Sequence, residues 1–344
     1  MIYAITVTIG SLFTFCRKID KSILAIILLC LIAPLLSRGL VGTDINAYRN
    51  IWEKLYSLEN ALSTYNQEFV FFSVLWLLKS ISRNTEWMIQ GLTLVSLFIL
   101  FSGFYQIAHH HSKKNRELLI VFFFIFIFCS SSFYLLNSNI LRQGLAQSLF
   151  VAYIGAYLQR RYLITFILAL ISLFTHHSSI IGIFAIILTH CFRTHRSLLF
   201  IYLSTCLLAF SGIKEYSQVL PWLQYKLELY SAPRGNHLNE IKLCINIAIF
   251  IILNWIGRNQ DRSIRLIHAY CLMITLCLFP YPEIFKRLMY YISYIEVIRV
   301  ALYSFDNCHR VFGKAPIVLA VIYLLAILHH PSLQRNLEIK SFLW

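Results

Sequence analysis

Four short polar clusters interrupt an otherwise apolar chain: Gly42-Thr43-Asp44, the segment 139–143 with Arg142 and Gln143, His176-His177-Ser178-Ser179, and the segment 280–287 with Glu283, Lys286 and Arg287. A carboxylate such as Asp44 can take a proton from a hydroxyl or hydrogen-bond a sugar. A guanidinium such as that of Arg142 or Arg287 pairs bidentately with phosphate. An imidazole such as that of His176 shuttles a proton or donates a hydrogen bond to phosphate or hydroxyl. Each residue also has a plainer reading. Asp44 can cap the helix that Tyr48, Trp52 and Tyr56 mark out by their spacing, and Arg142 can snorkel to lipid headgroups. His176 can serve as a hydrogen-bonding residue between helices, and Glu283 can pair with Arg287 four positions on.

The elements that hold these residues are membrane helices. Of the 344 residues, 58% are hydrophobic and 13% charged, and the chain contains many separate apolar runs of spanning or near-spanning length. The expected fold is an all-α polytopic integral membrane protein with about twelve transmembrane helices plus re-entrant or interfacial helices, forming a single membrane domain over residues 1–344. A β-barrel is excluded because runs such as 118–136 are continuous, whereas barrel strands alternate polar and apolar positions. Spans are expected near 2–16, 22–37, 87–108, 117–136, 140–158, 162–175, 178–192, 197–212, 241–257, 266–280, 288–304 and 315–330. The first run lacks a basic leading region and a small-residue cleavage site, so it is expected to remain attached. The segment 68–82, which begins with Glu68, is marginal in length for a crossing and rich in aromatics, and is expected to be re-entrant or interfacial.

With this threading, nearly every compact basic cluster falls on alternate turns on one side, as the positive-inside tendency requires: Arg17-Lys18 with Lys21, Lys113-Lys114, Arg160-Arg161, Arg193 with Arg196, Arg258 with Arg262 and Arg265, and Arg310 with Lys314. That pattern accounts for the net charge of +15 without a nucleic-acid partner, since no basic domain exists to hold one. All four polar clusters then emerge on the opposite, external face, together with the segments 38–82 and 212–240. The second of these mixes Tyr216, Trp222, Tyr225 and Tyr230 with Lys214, Lys226 and Arg234, which suits an interfacial helix or a saccharide groove. Lys286 and Arg287 break the positive-inside pattern, a reason to expect that they meet an anionic ligand. The nine cysteines include no C-x-x-C pair and sit mostly in apolar runs, so small buried hydrophobes are expected rather than metal ligands. The triple His109-His110-His111 lies on the basic side and receives no catalytic role.

Taken in order, Gly42-Thr43-Asp44 with Tyr48, Glu68, Arg142-Gln143-x-x-Ala146, His176-x-Ser178 and Arg287 resemble the EpsG-like branch of the Wzy-type O-antigen and capsule polymerases. The resemblance runs along most of the chain, with Ser179 standing where that family usually has Ala. It implies a GT-C-like, metal-independent and cofactor-free glycosyltransferase of the bacterial inner membrane with its site facing the periplasm. Such an enzyme transfers a growing glycan from undecaprenyl diphosphate to a lipid-linked repeat unit, and a chain-length regulator in the same membrane is its expected partner. Arg142 and Arg287 would hold the diphosphates, Asp44 the acceptor hydroxyl, and His176 a phosphate or sugar. Tyr48, Gln143, Ser178 and Lys286 would contact substrate, and Glu68 and Glu283 would be second-choice bases. Two other functions fit the composition: a GT-C transferase adding one side-branch sugar from a polyprenyl phosphate, and a transporter of lipid-linked oligosaccharide, which should show internal repeats and helices broken at the midplane.

Overall fold

The computed structural model describes residues 2–15, 19–36, 45–59, 62, 68–130, 132–133, 136, 140–192, 238–278, 281–308 and 311–329. Among these residues the ordered elements are helical: α1 Ile2–Leu12, α2 Lys21–Leu36, α3 Ile45–Lys54, α4 Phe69–Ile81, α5 Thr85–His111, α6 Arg116–Phe128, α7 Leu141–Leu158, α8 Tyr162–Thr175, α9 Ile180–Cys191, α10 Leu238–Ile256, α11 Arg262–Cys277, α12 Pro282–Asp306 and α13 Val311–His329. Short 3-10 turns follow α1 at Phe13–Phe15 and α8 at His177–Ser179. Every expected span coincides with a helix except 197–212, which lies outside the described residues.

Local chemistry explains where the helices begin and end. Asn84 accepts a hydrogen bond from the Glu86 amide at the start of α5, and Asp261 accepts one from the Ser263 amide at the start of α11, both side chains filling the N-cap role. The end of α7 is a Schellman turn: the Arg161 amide reaches the Ala156 carbonyl and the Arg160 amide the Tyr157 carbonyl, with Arg160 in the left-handed region at φ 60°. α12 opens on Pro282, whose missing N–H costs nothing in a first turn. Lys286 and Arg287, expected ahead of the span, therefore lie inside α12.

Two lengths differ from expectation. α6 stops at Phe128, well short of residue 136. Ser130, Ser131 and Ser132 follow, a run whose side chains compete for backbone hydrogen bonds. The segment 68–82 forms the 13-residue α4, about 20 Å long and shorter than a hydrocarbon core. By length and composition, α5, with 27 residues, is the one helix among the described residues long and apolar enough to cross a membrane. α4, α8 and part of α10 are shorter apolar helices.

The chain divides into two compact units, residues 1–179 with 300–344, and residues 180–299. In the first unit α7 packs between α5 and α8, α6 lies against α1, α2 and α5, and α3 and α4 cover the start of α5. The α5–α7 crossing is close enough to bring backbones together. A Cβ on Gly103 would sit 2.7 Å from the Ala152 nitrogen, and one on Gly155 would sit 2.9 Å from the Gly103 oxygen. In the second unit α11 packs on α9 and α10.

Candidate functional site

The first unit gathers four of the expected residues, three of them at helix ends. Glu68 stands at the N-cap of α4, Arg142 in the first turn of α7, His176 at the C-cap of α8, and Tyr48 on the buried side of α3. α3 is pinned to α4 by Lys79, whose ammonium donates to the Trp52 carbonyl and, at 3.1 Å, to that of Glu53. The Trp52 indole donates to the Arg83 carbonyl at 3.2 Å. That docking sets the Tyr48 ring 5.8 Å from Phe71 and 5.9 Å from the Arg142 guanidinium.

Glu68 is the hub. One carboxylate oxygen accepts a hydrogen bond from Arg142 Nη1, and the other accepts from His176 Nδ1 at 2.6 Å. Burial alone would raise the Glu68 carboxyl; the hydrogen bond and charge of His176, with those of Arg142, outweigh it and hold the pKa at about 2. A carboxylate that acidic is a poor proton acceptor. The bond to Nδ1 fixes the imidazole and leaves Nε2 on the side away from Glu68. The Arg142 side chain is 37% exposed whereas that of Glu68 is 12% exposed, so the cation keeps a solvent-facing surface while its counter-ion is enclosed. Phe69 and Phe174, neighbours of Glu68 and His176, face each other at 4.9 Å beside the cluster.

The other expected residues fall elsewhere. Gln143 is fully buried on α7, and Ser178 is half-buried on the 3-10 turn. Lys286 is exposed and Arg287 half-buried, both in the second unit. Asp44, Asn139, the side chain of Glu283 and residues 212–237 lie outside the described residues. His111 of the histidine triple pairs with Asp306 at 2.7 Å. Among the described residues no three His, Cys, Asp or Glu side chains cluster as a metal site.

A second polar group lies outside the residues that the sequence singles out. In the second unit Arg299, fully buried, donates to the Leu253 carbonyl at 2.7 Å, His268 Nδ1 at 2.9 Å, and the side-chain oxygens of Asn254 and Gln260, each at 3.1 Å. Glu296 lies 3.9 Å from His268 Nε2. The signal was present as Arg265-x-x-His268 and Glu296-x-x-Arg299, ionisable pairs at helical spacing within apolar runs.

A family model described as the EpsG family matches residues 5–339. No curated protein and no solved structure matches the chain.

Proposed function

The chain belongs to the EpsG family, and on that premise we propose that it is a polytopic membrane glycosyltransferase that polymerises surface polysaccharide. It transfers a growing glycan from undecaprenyl diphosphate to a lipid-linked repeat unit on the periplasmic face of the bacterial inner membrane. The observation that carries this reading is the Glu68-centred cluster, in which one carboxylate holds both a partly exposed arginine and a histidine. Faces such as Leu163, Phe166, Ile167 and Leu170 of α8 are exposed and wholly apolar, which suits lipid contact on helices too short to count singly as spans.

The reaction needs little beyond what this cluster supplies. The leaving group is a diphosphate ester, so charge develops on phosphate oxygens as the anomeric carbon–oxygen bond breaks, and the guanidinium of Arg142 answers it. The acceptor hydroxyl attacks the anomeric carbon and surrenders its proton to His176 Nε2. Glu68 holds the imidazole in the tautomer that accepts that proton and stabilises the imidazolium that results. Tyr48 braces Arg142 from the other side. Arg287 and Lys286 are assigned to the second diphosphate, and Asp44 to positioning the acceptor. Gln143 and Ser178 line the sugar path, with Glu283 as a reserve base. A chain-length regulator is the expected membrane partner.

The test is the length distribution of surface polysaccharide in cells lacking the chain, complemented with the wild type or with Arg142→Ala. Collapse of a ladder to one repeat unit, restored by the wild type and not by the variant at equal protein level, is expected. An unchanged ladder with altered band mass would instead identify a side-branch transferase, and loss of every band, single unit included, an exporter.

A further inference from the structure

We infer that Gln147 is a sugar-recognition residue, its buried amide hydrogen-bonding a hydroxyl or acetamido group of the glycan that reacts at the Glu68–Arg142–His176 cluster. The inference rests on the polymerase reading and extends it to a residue five positions beyond Arg142 on α7. Gln147 is fully buried, and neither its Nε2 nor its Oε1 has a hydrogen-bond partner. It is the one side-chain amide among the described residues with both its nitrogen and its oxygen unmatched in this way. A folded chain does not ordinarily tolerate that, because a buried polar group without a partner forfeits its hydration and gains nothing in return.

The neighbourhood shows that the fold can satisfy buried polar groups where nothing else needs them. The Ser148 hydroxyl donates to the Gly144 carbonyl at 3.1 Å, Ser172 to Ala146 at 2.9 Å, and Thr175 to Ile171 at 2.7 Å. Gln147 lies on the same helix as Arg142, about 7.5 Å further along its axis, and follows Gln143 at i,i+4 on one face. The Ser179 hydroxyl, also fully buried and without a partner, sits three residues after His176, whose carbonyl receives the Ser179 amide at 3.1 Å. Two helix ends that contribute to the charged cluster thus each carry a buried polar group left unspent.

The chemistry of the amide selects the ligand. A phosphate offers only acceptors and would leave Oε1 unmatched, and an isoprenoid chain offers neither donor nor acceptor. A sugar hydroxyl or acetamido group supplies both and matches the whole amide. Recognition of this kind discriminates strongly, because a sugar lacking the group leaves the amide as unpaired as it is in the free protein.

The test compares cells lacking the chain and complemented with the wild type, Gln147→Met or Gln147→Asn, together with the thermal unfolding midpoint of each purified protein in detergent. Methionine keeps the volume and removes the unmatched atoms. The expected result is a midpoint at or above the wild type with polymer reduced at least tenfold, and an intermediate yield for Gln147→Asn, which keeps a shortened amide. An unchanged ladder in Gln147→Met would overturn the inference while leaving the polymerase reading intact, since the amide would then hold at most a water. Loss of polymer together with a lowered midpoint in both variants would also overturn it, in favour of a structural role. Failure of the wild type to restore any ladder would overturn the polymerase reading and this inference with it.

Discussion

Arg142 and Arg299 are both drawn out of bulk water, and their surroundings assign them opposite work. Arg142 leans on a carboxylate and a tyrosine and keeps 37% of its side chain exposed. Arg299 has no exposure and spends its donors on Leu253, Asn254, Gln260 and His268, all neutral acceptors except for the titratable imidazole. One of those acceptors, the Leu253 carbonyl in the last turn of α10, also takes the Gly257 amide at 3.0 Å, so the guanidinium uses its second lone pair. Gln260 returns a bond to the Arg299 carbonyl at 2.6 Å, closing the brace. An arginine whose fork is filled holds helices together, and one whose fork is half empty is available to a ligand.

The largest expected effect tests the braced side. Arg299→Ala leaves several buried acceptors unpaired at once, so the protein should lose at least about 3 kcal/mol and fail to accumulate. Membrane-fraction yield and the unfolding midpoint in detergent check this. Normal accumulation with no polymer would move Arg299 into the chemistry and dissolve the contrast. On the other side, Arg142→Ala should abolish polymer with protein level unchanged. Arg142→Lys should rescue little, because a point charge cannot keep Glu68 and offer a second pair of donors to a phosphate. Full activity of either Arg142 variant would remove that residue from the site.

A subtler contrast lies in pH. The Glu68 carboxyl ordinarily titrates at 4.5 and is held at about 2 in the fold. A depressed carboxyl contributes stability that is fully present above its unfolded value and is lost as pH falls through the folded one. The unfolding midpoint of the wild type should therefore exceed that of Glu68→Gln at neutral pH, and the gap should close between about pH 4.5 and 2. A gap that persists at the acid end would show that the Arg142 and His176 bonds are not what the carboxylate contributes. Polymer yield in Glu68→Gln should fall by at least tenfold at neutral pH, because an amide can offer its N–H where the imidazole N–H must donate.

Much of this was legible in the chain. Continuous apolar runs divided by basic turns predicted the helices, and α5, α7 and α8 begin and end within a few residues of expectation. Arg142 and His176 stand out because ionisable groups at span ends are costly and therefore informative, whereas Glu68 stands out through the family resemblance. Their mutual bonds were not legible: Glu68 and His176 are 108 residues apart, and helical spacing carries no information across that distance. The sequence offers Glu68 only as a second-choice base, whereas in the fold two donors converge on it. Arg299 lies inside a span, where spacing gives no sign of what its charge meets. Its partners come from α10, α11 and the turn between them, so only packing reveals that the charge is spent.

The smallest expected effect sharpens the comparison at Tyr48. Tyr48→Phe keeps the ring over Arg142 and against Phe71 and removes only the hydroxyl, and with it any bond that the hydroxyl makes to the guanidinium. Loss of one such bond is worth about 0.5–1.5 kcal/mol, which, if felt only in placing Arg142, lowers polymer output by roughly two- to tenfold without moving the unfolding midpoint by more than a few degrees. The matching change on the braced side is Asn254→Ala, which removes one of several acceptors from Arg299. It should lower the midpoint and leave polymer per molecule of protein unaltered. Output and stability would then separate by region, output following the contacts of Arg142 and stability those of Arg299. If Tyr48→Phe were as inactive as Arg142→Ala, the hydroxyl would belong to the chemistry itself; if it were fully active, Glu68 alone would suffice to hold the guanidinium in place.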